Sequence, residues 1–129
     1  MQGVPDTPFG KLYKEHIRLI MEKKVDALID QYADDCQLIS SFLKTPKYYI
    51  GKKQLREHMN GILGIQGLET SVRFWAETKN TIMVTENIKL DTPDGPAKMI
   101  FADSWVLDNK GKIKIHFAGM VQYPDGSLA

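Results

Sequence analysis

Apolar positions along this chain recur at helical spacing in its first half and at strand spacing in its second. Phe9, Leu12, Tyr13, His16 and Ile20 fall on one helical stripe, opened by Asp6-Thr-Pro8, with a capping residue ahead of a proline at the first helical position. The spacing predicts a helix from about Pro8 to Glu22, broken by Lys23-Lys24. A short second helix follows, with Val25, Leu28, Ile29 and Tyr32 on one face and Ala33-Asp-Asp35 at its end. Cys36 to Leu43 reads as a strand, Lys44-Thr-Pro46 as a loop and Lys52 to Leu63 as a third helix, with Gly61, Gly64 and Gly67 at its exit. Beyond it the pattern alternates over Leu68–Thr78, Thr81–Asp91, Ala97–Leu107 and Lys112–Tyr123, with turns at Lys79-Asn80, Thr92-Pro-Asp-Gly95 and Asp108-Asn-Lys-Gly111. Helices followed by a meander predict a single α+β domain over residues 1–129, its helices packed on one face of a curved antiparallel sheet. The tail from Pro124 to Ala129 reads as loose.

Polar residues interrupt these apolar faces at a few places. His16 belongs to the first helical stripe, and His58 shares another with Leu55, Met59 and Ile62. His116 stands in the last strand, and Asp103 is the lone carboxylate of the strand before it. Burying such groups without partners is costly, so they point to one another, to water or to a ligand. Three imidazoles and a carboxylate facing inward describe a pocket with polar groups in an apolar wall. The last hairpin decides whether Asp103 and His116 meet. A two- or four-residue loop places Asp103 opposite His116, Trp105 opposite Lys114 and Leu107 opposite Lys112, and this register is favoured. A three-residue loop with Gly111 in a bulge puts Phe117 opposite Asp103 instead.

Both faces of that hairpin are apolar. Met99, Phe101, Trp105, Ala118 and Met120 share one face with Asp103 and His116, and Ile100, Val106, Ile113, Ile115, Phe117 and Val121 lie on the other. Helices cover only one side of a sheet. The second face therefore calls for a partner, and a homodimer centred on Ile113, Ile115 and Phe117 is expected.

Composition narrows the classes. The chain has 129 residues, 43% apolar and 26% charged, with a formal net charge of +1. That balance offers no electrostatic footprint for nucleic acid or an anionic membrane. Lys110-Gly-Lys-Ile-Lys114 reads as a solvated turn and strand edge. One cysteine, Cys36, forms no internal disulfide and reads as a small buried residue. No segment has the roughly 20 apolar residues of a membrane span, and no leader pattern is present, so a cytoplasmic location is expected. The histidines lack the close spacing of a metal-binding helix; neither metal nor cofactor is expected.

Tyr32-Ala-Asp-Asp-Cys36, Ile50-Gly-Lys-Lys-Gln-Leu-Arg-Glu-His58 and Asp103-Ser-Trp-Val-Leu-Asp-Asn-Lys-Gly-Lys-Ile113, in this order, resemble the SnoaL-like, nuclear transport factor 2-like superfamily, most closely its ketosteroid isomerase branch. The resemblance implies a cone-shaped α+β barrel. It places Asp103 at that branch's oxyanion-hole aspartic acid, His16 at its oxyanion-hole tyrosine, and Ser40 at its general-base aspartate. It also places His116 and Met120 on pocket-lining positions and Tyr32 and His58 near the pocket. Ser40 carries no carboxylate, so steroid isomerisation through that base is not expected.

Two functions are carried forward. One is an acid–base isomerase, cyclase or dehydratase acting on a small, mostly apolar molecule. Asp103, His116 and His16 are its catalytic candidates, and Tyr32, Ser40, His58, Phe101, Trp105 and Met120 its substrate-binding candidates. The other is a non-catalytic dimeric module that binds an apolar ligand or a protein. Simpler roles stand beside these: Asp103 anchoring a backbone amide or an arginine such as Arg18, Arg56 or Arg73, Trp75, Trp105 and the Met99/Met120 pair as wall and core, Tyr48-Tyr49 as a lid or partner contact, and Asp34 and Asp35 as a cap or turn after the second helix.

Overall fold

The computed structural model describes residues 1–41 and 47–122. Helix α1 spans Pro8–Met21, α2 Val25–Asp30 and α3 Gly51–Leu63. Thr7 caps α1, its hydroxyl accepting from the Gly10 N–H at 3.0 Å with Pro8 behind it, which satisfies one of the free amides of the first turn. Lys23 takes a left-handed φ of 58° between α1 and α2, so the pair of lysines marks a real corner.

Six strands form one curved, mixed sheet: β1 Tyr32–Ser40, β2 Lys47–Ile50, β3 Glu69–Glu77, β4 Thr81–Thr92, β5 Gly95–Leu107 and β6 Ile113–Gln122. Their order is β2-β1-β6-β5-β4-β3. Four of the pairings are antiparallel, but β1 runs parallel to β6, which corrects the all-antiparallel sheet expected from the pattern. The physical reason is the crossover. The chain leaves β1 and β2 through α3 and the β3–β5 meander before β6 returns to β1's side, and such a connection permits parallel pairing.

Tyr32 and Ala33-Asp-Asp35 do not belong to α2. The helix stops at Asp30, the Ile113 N–H donates to the Gln31 carbonyl at 2.9 Å, and Tyr32 already pairs with Ile113. Asp34 and Asp35 are exposed strand residues rather than caps. Lys47–Ile50, to which the pattern assigned no element, is an edge strand along β1. The strand expected to run on to Leu43 and the loop at Lys44-Thr-Pro46 reach outside the described residues, as do Tyr123 and the tail from Pro124.

The last hairpin follows neither expected register. Leu107 pairs with Ile113, as a bulged turn would have it. An irregularity at Lys114 then adds one residue to β6, so that Val106 pairs with Ile115, Trp105 with His116 and Asp103 with Ala118. Two shifts of one residue restore the original facing, and His116 stays inward with Asp103 as a diagonal neighbour. The first shift turns Ile113 inward: it is fully buried and leaves the outer face to which the pattern assigned it. The core lies between the sheet and the helices, around Trp105, Tyr13, Tyr32, Leu28, Leu38 and Leu55. No helix among the described residues is long and apolar enough to cross a membrane.

Candidate active site

Strand alternation puts Thr70, Glu86, Asp103 and His116 on inward positions of β3, β4, β5 and β6. Each is a diagonal neighbour of the next, because Thr70 pairs with Ile88, Glu86 with Phe101, and Asp103 with Ala118. Tyr32 extends the line onto β1. The result is a polar diagonal across five strands in an otherwise apolar face.

Hydrogen bonds run along this diagonal and converge on Asp103. The Tyr32 hydroxyl lies 2.7 Å from His116 Nδ1, and His116 Nε2 lies 2.5 Å from Asp103 Oδ1. Burial holds the His116 ring at about 3, well below the usual imidazole range, so the ring is neutral and the contact is a hydrogen bond rather than an ion pair. Burial raises Asp103 to about 6, and a hydrogen bond from Glu86 pulls the other way. At neutral pH Asp103 is therefore the acceptor: His116 donates from Nε2–H, and its Nδ1 accepts from Tyr32. On the other side the Thr70 hydroxyl donates to Glu86 Oε2 at 3.3 Å. Burial first, then the nearby Asp103 charge, raises Glu86 well above the carboxylate range, so it carries a proton that Asp103 shares. Glu86 and the Tyr13 hydroxyl are buried side by side, and each alters the other's proton affinity.

Helix α1 covers the diagonal. His16 sits 6.1 Å from His116 between ring centroids and packs edge-on to Trp105 at 4.7 Å. Its Nδ1–H donates to Gln31 Oε1 at 2.9 Å, and Gln31 in turn donates to the Leu12 carbonyl at 3.3 Å. Burial, then the neighbouring His116, lowers His16 to about 3, so its Nε2 remains an acceptor. His58, on α3, stacks obliquely with Tyr49 at 5.0 Å, and burial lowers it to about 4.

These groups meet at a cavity of about 80 Å³. Its polar lining is His16, His58, Thr70, Glu86, Asp103 and His116; its walls include Ile17, Ile20, Met59, Ile62, Ile88 and Phe101. Met21, 41% exposed, marks the side open to solvent. Of the residues singled out from sequence, Asp103, His116, His16, His58 and Phe101 line the cavity. Tyr32 lies behind His116, and Ser40, Trp105 and Met120 are buried off the cavity surface. Asp103 is anchored by none of the arginines proposed for it: Arg18 pairs with Glu15 and Glu22, Arg56 with Asp26, and Arg73 with Asn87. Glu86, Thr70 and Gln31 were missed. Glu86 had a readable signal, since it takes an inward turn in the alternation Ile82, Val84, Ile88, Leu90. Among the described residues, no group of three or more His, Cys, Asp and Glu is placed to hold a metal ion.

The sequence matches no protein-family model and no curated protein. Solved structures do match. SalBIII, described as an epoxide hydrolase/cyclase-like enzyme with a role in pyran ring formation in polyether salinomycin, superposes with a TM-score of 0.72 at 16% identity, over 85% of this chain and 88% of that one. A protein from Shewanella putrefaciens described as a SnoaL-like polyketide cyclase gives 0.73 at 12% identity, over 89% and 91%. An LEH-like epoxide hydrolase of M. tuberculosis gives 0.68 at 10% identity, over 85% and 80%. The chain has the fold of the SnoaL-like, nuclear transport factor 2-like superfamily.

Proposed function

We propose that this protein is a small-molecule enzyme of the isomerase, cyclase or dehydratase type, moving protons on a small, mostly apolar substrate held against Asp103. The observation that carries this reading is the carboxyl pair. Two acids on adjacent strands face one cavity, burial raises the proton affinity of both, and the pair holds a proton between them near neutral pH, one carboxyl neutral and the other ionised. Such a split is how one site comes to hold an acid and a base together. His116 and Tyr32 orient Asp103 from behind, and His16 offers Nε2 across the cavity. In this reading α1 and α3 close one end of the curved sheet as a cone, and the substrate enters past Met21. Solved structures sharing the fold carry descriptions of cyclase and epoxide hydrolase chemistry, which supports the class of reaction and not the substrate. The assembly proposed with it is a homodimer through the outer sheet face.

The test is turnover and solvent-deuterium incorporation across a panel of small apolar ketones, epoxides and alcohols. Asp103→Asn is expected to keep the fold and lower the rate by roughly a hundredfold to ten-thousandfold. Unchanged turnover in a folded Asp103→Asn variant, or a loss of stability with no loss of rate, ends the proposal.

A further inference from the structure

Among the described residues every polar group on the cavity wall has accepting capacity, and no Lys or Arg lines it: the lining is two carboxyls, three imidazoles, one hydroxyl and apolar side chains. His116 has both nitrogens occupied, by Tyr32 and Asp103, and His16 has one, by Gln31. What is left open is acceptor capacity: His16 Nε2 and the oxygens of the two acids. Glu86 makes the point most sharply. It is 3% exposed and lines the cavity, and its carboxyl lies among Asp103, Thr70 and the Tyr13 hydroxyl with no cation beside it.

The charge balance points the same way. Asp103 brings a negative charge to the cavity floor, and none of the described groups facing it supplies a full positive one: Glu86 from β4, His116 from β6, Tyr32 from β1, Tyr13 and His16 from α1, and His58 from α3, with Lys47 of β2 felt only by His58. A buried carboxylate left without a countercharge is a standing cost, only partly offset by hydrogen bonds from neutral donors. A ligand bringing both hydrogen-bond donors and a positive charge would remove it.

We propose that the cavity recognises a small primary amine with an apolar body, its ammonium seated against the Glu86 and Asp103 carboxyls with His16 Nε2 as a third acceptor, and its hydrocarbon against Ile17, Ile20 and Ile62. This rests on reading the cavity as a small-molecule site and adds the charge class of the ligand. The three acceptors match the three N–H bonds of an ammonium. The volume of about 80 Å³, open at one side, suits a body of a few carbons.

The test uses three probes of one shape: cyclopentylammonium, cyclopentanol and cyclopentanecarboxylate. Each is titrated into the full chain and followed by the NMR signals of its 3 histidines. At about pH 8 the ammonium is expected to bind about tenfold tighter than the alcohol, and the carboxylate not to saturate. The preference should fade as the pH falls through about 6, where Asp103 takes a proton while the amine keeps its own. Glu86→Leu, which removes the acceptor, should weaken the ammonium severalfold more than it weakens the alcohol. If that variant does not fold, the pH profile of the unaltered protein decides alone. Equal binding of alcohol and ammonium, or tighter binding of the carboxylate, overturns the amine proposal while leaving a small-molecule cavity in place. No response to any of the three overturns both.

Discussion

Asp103 takes hydrogen bonds from both sides of the sheet, and the consequences of altering each neighbour differ. Tyr32 closes the line at its far end, where its hydroxyl is the donor for His116 Nδ1. Tyr32→Phe removes that donor and leaves a buried nitrogen unpaired, so urea unfolding should show a loss of about 1–3 kcal/mol. Glu86→Gln should act the other way. Burial raises the proton affinity of Glu86 and holds it neutral when folded, whereas in the unfolded chain it ionises in the ordinary carboxylate range. Its contribution to stability is therefore present at acid pH and lost as the pH rises. A neutral amide of the same shape escapes that loss, so Glu86→Gln should gain stability over the unaltered protein at about pH 8, by a margin that narrows toward about pH 5. A margin that widens on acidification would refute the assignment of the proton to Glu86. His16, His58, His116 and Asp103 were visible in the sequence because each interrupts an apolar stripe. Gln31 was not, since its role depends on the chain turning from α2 into β1, which no local spacing encodes.

Elements with a strong local period were legible, and those set by distant partners were not. The α1 stripe and its Thr7-Pro8 start carry their own capping and amphipathic signals, and the helix begins where they place it. Tyr32 fits the α2 stripe by spacing, yet pairing with Ile113 draws it into β1, a contact between residues far apart in the chain. The parallel β1–β6 pairing and the edge strand β2 have the same origin, since nothing in Lys47–Ile50 alone distinguishes an edge strand from a loop. The β5–β6 hairpin shows how a turn and a bulge share the work of register. Asp108 accepts from the Lys110 and Lys112 amides at 2.9 Å each, and Gly111 adopts a φ of 78°, a left-handed conformation that disfavours a side chain. A Cβ at Gly111 would meet nothing within 4 Å, so Gly111→Ala tests backbone strain alone. It should cost about 1 kcal/mol in chemical denaturation while leaving the Asp103–His116 contact intact. A neutral effect would mean that the turn is not what holds this register.

The whole molecule presents two sheet faces of different character. The inner one is closed by helices, whereas the outer one exposes Phe74, Met83, Phe117 and Val121, at 71%, 60%, 51% and 43% of their surfaces. Phe117 pairs across β5 with Ser104, and Ser104 with Met83 on β4, so these side chains lie along one row of the outer face. Large apolar side chains exposed across the middle of a sheet are costly in water and are the kind of surface subunits bury. The proposed homodimer places Phe117 and Ile115 at its centre; Ile113 has no part in it, because the shift at the turn, where it pairs with Leu107, turns it inward. The two isoleucines therefore separate assembly from folding. Sedimentation at micromolar concentration should report a dimer for the unaltered chain, and a folded monomer for Phe117→Asp or Ile115→Asp. Ile113→Asp should instead unfold the chain, since it places a charge in the core, where an unpaired carboxylate costs several kcal/mol. A monomeric unaltered protein, or a Phe117→Asp variant that still sediments as a dimer, would show that the outer face is not the interface.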